Sequence, residues 1–193
     1  MKTVMINTIK AKANRVIAAS FMCLALVACD NDDDVSEPVN EEELITTVRV
    51  ELTPMGGGTP IVLQSQDLDD DGPNAPVETV SGSLNANTTY TGTVQVLNES
   101  ETPSENITLE VIEESDEHQF FFTAAGGLNV STIYGDFDGD GNPLGTMITV
   151  ATGDASTGSY TVTLRHEPTK PNTGLADAGG ETDIASTFQV TIQ

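Results

Sequence analysis

An antiparallel, all-β sandwich of about nine strands is the fold this sequence predicts, and three observations predict it. Apolar residues alternate with threonine and charged residues over repeated short segments. Clusters of Gly, Asn and Asp separate those segments at short intervals. The alternation of strands with long helical patterns that marks a parallel sheet is nearly absent. Alternation with threonine on the wet side is the pattern of half-buried antiparallel strands, because successive side chains point to opposite faces. The core has no tryptophan to use and must be built from Val, Ile, Leu and a few Phe and Tyr.

The elements follow in order. In residues 44–53, Leu44, Val48, Val50 and Leu52 share one parity, with Arg49 and Glu51 on the other. In residues 88–97, Tyr90, Val94 and Val96 alternate with Thr91, Thr93 and Gln95. In residues 159–166, Tyr160, Val162 and Leu164 alternate with Thr161, Thr163 and Arg165, and the last segment sets Phe188, Val190 and Ile192 on one face. Weaker strands are predicted over 61–66, 77–84, 118–124, 128–134 and 146–152. Immunoglobulin-like topology is the default expectation for such a chain, without a cysteine–tryptophan core pattern to mark it. One short helix is expected within 103–116. Thr102-Pro103-Ser104-Glu105 reads as a helix start with a hydroxyl cap and proline at the first position, and Ile107 and Val111 lie four apart.

Before this domain the chain has a different character. Lys2, Lys10, Lys12 and Arg15 precede an apolar run of 13 residues, 16–28, which ends in Leu26-Val27-Ala28-Cys29. The run is too short for a spanning helix of about 20 residues and suits a cleaved signal. It resembles a bacterial lipoprotein signal, which implies that residues 1–28 are removed and that Cys29 carries the lipid. Cys23 then leaves with the signal. Residues 30–43 read DNDDDVSEPVNEEE, with eight acids among 14 residues, too polar to bury a core. With Cys29 they form a flexible tether, and residues 44–193 form one domain. The cluster Asp30, Asp32, Asp33 and Asp34 directly after the cysteine resembles the export signal of Bacteroidota-type surface lipoproteins. That resemblance implies a protein anchored in the outer membrane and facing the cell exterior.

Charge narrows the partners. Beyond the signal, 30 acidic residues stand against only Arg49, Arg165 and Lys170. Such a surface repels phosphate backbones and attracts cations, which excludes nucleic acid as a partner.

Two loops carry cation-binding chemistry. Residues 67–72 supply Asp67, Asp69, Asp71 and Gly72, and residues 136–141 supply Asp136, Asp138, Asp140 and Gly141. Alternate carboxylates on a tight loop can converge on calcium, and the glycine permits the bend. Glu78 falls at position 12 of the first loop, where an EF-hand places its bidentate ligand. Met147 falls there in the second. Both loops resemble the EF-hand over six positions only. Flanking strands and Pro73 at position 7 exclude that fold and leave two alternatives, a strand–loop–strand calcium site or plain acidic turns in which Asp and Gly serve only as turn residues.

His118 has the parity of Phe120 and Phe122, and His166 that of Val162 and Leu164. One opens a strand and the other closes one, so antiparallel pairing can bring them to one end of a sandwich. Glu167, Asp177, Glu181 and Asp183 follow in a Gly- and Pro-containing loop. Two imidazoles and a carboxylate suit a transition metal, and two imidazoles can ligate haem. The bland alternative is two histidines capping the rim of a core. Nucleophile elbows, zinc-protease motifs and phosphate-binding glycine loops are absent from the sequence. The expected function is therefore a non-catalytic, surface-tethered binding module with calcium-ordered loops and an extracellular ligand. The alternatives are a capture protein that passes a metal ion or haem to an outer-membrane transporter, and a purely structural surface protein. Clustering of His118 with His166 discriminates in favour of capture.

Overall fold

A computed structural model describes residues 44–69 and 72–193. Cys29, the acidic tether and Asp71 lie outside the described residues. The described residues fall in one compact unit, Asn40–Gln193. Among the described residues nine strands form two antiparallel sheets: β1 (Thr47–Pro54), β2 (Ile61–Gln66), β3 (Val77–Val80), β4 (Thr89–Leu97), β5 (His118–Ala125), β6 (Val130–Tyr134), β7 (Met147–Thr152), β8 (Ser156–His166) and β9 (Glu181–Ile192). Helix α1 (Thr108–Glu113) joins β4 to β5, and the single turn α2 (Leu175–Ala178) precedes β9. Among the described residues no helix is long and apolar enough to cross a membrane.

The larger sheet runs β3-β2-β1-β4-β7-β6 and the smaller β5-β8-β9. Set aside the β2–β3 hairpin, and the remaining seven strands have the A-B-E-D and C-F-G connectivity of a constant-type immunoglobulin sandwich. The hairpin widens the first sheet beyond its first strand. After β3 the chain crosses to the other sheet, where Leu84 pairs in parallel with Ile192. Leu84 N–H donates to Thr191 O at 2.9 Å and Gln193 N–H to Leu84 O at 2.9 Å.

The core follows the alternation. Val48, Val50, Leu52, Leu63, Tyr90, Val94 and Val96 from the larger sheet meet Phe120, Tyr160, Val162, Leu164, Phe188, Val190 and Ile192 from the smaller. Each such side chain contributes about 1.5–3 kcal/mol when fully buried. Gly92 occupies the inward position between Tyr90 and Val94 because the site is full: an added Cβ would lie 2.6 Å from Ile148 Cγ1.

Four expectations need correction. Leu44 is exposed and precedes β1. The strand expected over 77–84 ends at Val80, where the chain leaves the sheet. The helix does not start at Thr102. Asn98 and Glu105 exchange backbone hydrogen bonds of 3.0 and 2.9 Å, which closes residues 98–105 as a loop, and helix geometry begins at Thr108 without a side-chain cap. Ile107 and Val111 are buried and Leu109 exposed, so the helical period prevails over the alternating one. Finally, Asp177 lies in α2 and Glu181 and Asp183 in β9, not in an irregular loop.

Candidate metal centre

His118 and His166 are cross-strand partners on β5 and β8. They continue the inward ladder Phe122–Val162 and Phe120–Leu164 and end it at one rim of the sandwich. Their ring centroids are 4.6 Å apart, at an interplanar angle of 30°. Both are buried, with His118 0% and His166 3% exposed.

A β-bulge supplies the third group. Leu164 pairs with Ile184 but Arg165 pairs with Thr182, so β9 carries one extra residue, Asp183. The parity of Phe188, Val190 and Ile192 would put Asp183 on the outer face. The bulge re-aims it, and its side chain is only 3% exposed. Asp183 Oδ2 lies 3.9 Å from His118 Nε2, and Asp183 Oδ1 lies 3.9 Å from His166 Nδ1. One carboxylate thus faces two imidazoles, one oxygen to each.

The proton on His118 can be placed. Its Nδ1 lies 3.3 Å from the Glu114 carbonyl oxygen. A carbonyl only accepts, so Nδ1 carries the hydrogen and Nε2 is the nitrogen turned to Asp183. A backbone carbonyl behind one ring nitrogen is the arrangement that orients a metal-binding histidine and leaves its other nitrogen for the ion. Two imidazoles and a carboxylate suit zinc, copper(II) or iron(II). Donor atoms of the three groups lie within 4.8 Å of one another. Bond lengths of about 2.0–2.2 Å require a modest contraction about an ion.

Lys170 fixes the strand that carries His118. Its ammonium donates to Ser115 O at 2.6 Å, to His118 O at 2.7 Å and to Asp138 Oδ2 at 3.2 Å. Lysine and aspartate side chains are 7% and 1% exposed.

That pair decides how the loop 136–141 is built. Phe137 and Pro143 bridge across its base. Asp138 accepts from the backbone N–H groups of Asn142 at 2.8 Å and Asp140 at 3.0 Å, and from the Asn142 amide and Lys170. Burial alone would push the Asp138 carboxyl up. The Asn142 and Lys170 donors outweigh it and hold the group below 3.8. Asp136 accepts from Gly145 N–H at 2.9 Å, Thr146 N–H at 3.1 Å and the Thr146 hydroxyl. Asp140 is exposed. The two inner carboxylates therefore serve the loop's own backbone and Lys170.

The first loop is arranged differently. Asp67 and Glu78 flank it and line a groove of about 310 Å³. Thr46, Ser65, Thr182 and Asp183 also line this groove, so the bulged residue of the histidine cluster belongs to its wall. Asp69 is turned to Asn74, whose amide donates to Oδ2 at 2.6 Å. That bond holds the Asp69 carboxyl below its ordinary value.

The pairing of His118 with His166 was open to inspection in the sequence, because one opens and the other closes an alternating segment. The pairing of either with Asp183 was not, since an extra residue in a strand leaves no mark in the alternation. No family model, curated protein or solved structure matches this chain.

Proposed function

We propose that this chain is a lipid-anchored, non-catalytic binding module that captures a divalent transition-metal ion with His118, His166 and Asp183. The observation that carries the reading is the register of β5 against β8, which sets the imidazoles side by side at a 30° tilt, with the bulged Asp183 carboxylate turned to both. Their burial supports capture over catalysis, because donors this enclosed leave a bound ion little room for a reacting substrate. Ring-to-ring packing supports a bare ion over haem, because a macrocycle ligated by both rings must lie between them. In this reading Cys29 supplies the lipid, the cluster after it supplies the outer-membrane address, and the partner is a transporter that accepts the ion.

Titration of the full chain with zinc, followed by calorimetry and metal analysis, tests the assignment. The expected result is a tight equivalent of zinc that Asp183→Asn and His118→Ala lose. An ion that binds only the folded chain, at tenfold over its Kd, raises stability by about 1.4 kcal/mol. Absence of any zinc-dependent stabilisation would reduce the cluster to a buried network of ion pairs.

A second reading concerns calcium. Asp67 and Glu78 share one groove wall, which favours the first loop as its location. At the second loop a calcium ion would have to displace Lys170 from Asp138. Stabilisation by calcium beyond that by magnesium at fixed ionic strength, lost in Asp67→Asn with Glu78→Gln, is the expected sign.

A further inference from the structure

His166 presents donors on both sides of its ring. Nδ1 faces Asp183 at 3.9 Å, and Nε2 faces Glu117 Oε2 at 3.9 Å. Glu117, His166 and Glu167 form a second convergent group, with donor atoms within 4.8 Å of one another. The two groups share the histidine and differ in exposure. The His118 and Asp183 side chains are buried, 0% and 3% exposed, whereas the Glu117 side chain is 53% exposed and Glu167 is exposed.

The backbone holds the outer group together. Glu167 N–H donates to Glu117 O at 2.7 Å, which extends the β5–β8 pairing one step past the histidines. Glu167 has φ 47°, a left-handed conformation that costs a non-glycine residue free energy. This bend keeps its carboxylate at the rim beside the ring that precedes it. Gly180 permits the close return of the chain before β9: an added Cβ would lie 2.2 Å from His166 O.

We propose that Glu117, Glu167 and His166 Nε2 form a second, solvent-facing position for the same class of divalent transition-metal ion, so that His166 is shared by an outer and an inner site. The proposal rests on the inner-site reading above. A neutral imidazole offers one lone pair. Occupation of both positions therefore requires His166 to release its remaining ring proton to solvent, one proton for the second ion. The outer site combines one nitrogen with two carboxylates, a donor set for zinc or copper(II). Solvent screens its charges, so it binds more weakly than the buried site. An ion held by the outer carboxylates already shares a ligand with the inner position.

The test is zinc titration of the full chain, by equilibrium dialysis with metal analysis and by calorimetry in buffers of different ionisation enthalpy. Wild type is expected to take up two equivalents, a tight one and a weak one. The weak equivalent should release a proton. Glu117→Gln with Glu167→Gln, two exposed positions that leave the core intact, should remove the weak equivalent and keep the tight one. Asp183→Asn should lose the tight one. A single equivalent in wild type, unchanged in the Glu117→Gln and Glu167→Gln chain but lost in Asp183→Asn, would overturn the outer site and leave the inner one standing. Uptake of no zinc by wild type would overturn both.

Discussion

The loop 136–141 and the His118–His166 rim lie on either side of Lys170, and they treat their charged groups in opposite ways. In the loop, Asp138 accepts from the Asn142 N–H and Asp136 from the Gly145 N–H, and Lys170 neutralises Asp138. At the rim, a buried carboxylate faces two imidazole nitrogens at 3.9 Å each. An Asp-rich motif is thus a scaffold where the chain supplies the donors, and two histidines become a candidate site where the fold turns their nitrogens onto one carboxylate. What separates the cases is the partner each oxygen meets, and not the number of acids.

The largest effect should come from the group that joins the two regions. Lys170→Met removes a cation from a nearly sealed pair and leaves Asp138 buried. Breaking such a pair costs about 3–5 kcal/mol. Chemical denaturation should show a loss of that size, together with weaker zinc binding as the His118 strand loses its anchor. An unchanged midpoint would show that the pair is solvated.

Next is the loop by itself. Asp136→Ala leaves the Gly145 and Thr146 N–H groups without their acceptor. Leaving buried donors unsatisfied costs about 1–3 kcal/mol. Zinc affinity should stay within about twofold of wild type, since residues without shared partners behave independently and the side-chain hydrogen bonds of Asp136 go to Gly145 and Thr146. Zinc affinity that falls in parallel with stability would erase the distinction between loop and rim.

A smaller effect concerns acid. The folded Asp138 carboxyl sits below its ordinary value of 3.8. Its contribution to stability is therefore complete above that value and is lost as pH falls through the lowered one. Acid unfolding followed between pH 5 and 2 should be steeper in wild type than in Asp138→Asn. Equal slopes would contradict the hydrogen-bonded, ion-paired state of this group.

The smallest effect is that of calcium on the groove. Replacing Asp67 and Glu78 by their amides should lower calcium-dependent stabilisation by no more than about 1 kcal/mol, because an exposed site of this kind binds weakly. The same test on Asp140→Asn should show no change.

Much of the fold was legible because the core follows strict alternation. Val48, Val50 and Leu52 face inward as their parity requires, and the strand over 61–66 has the bounds expected of it. Both histidines were legible as rim residues for the same reason. The rest was hidden by effects that alternation does not carry. The β9 bulge turns Asp183 inward against its parity. Gln119 and Phe121 on β5 are buried although they alternate with Phe120, because the chain after β8 covers that face, where the Asn172 amide donates to Gln119 at 2.8 Å. The capping motif at Thr102 was overridden by the pairing of Asn98 with Glu105 across the loop, and the acidic motif at 136–141 by a lysine 32 residues beyond Asp138.

X-ray absorption of the full chain loaded with one equivalent of zinc tests the central claim most directly. The account predicts two imidazole nitrogens at about 2.0–2.1 Å and carboxylate oxygen in the first shell, with the imidazole scattering lost in His118→Ala. A first shell of oxygen alone, identical in wild type and His118→Ala, would place the ion on the acidic surface and contradict it.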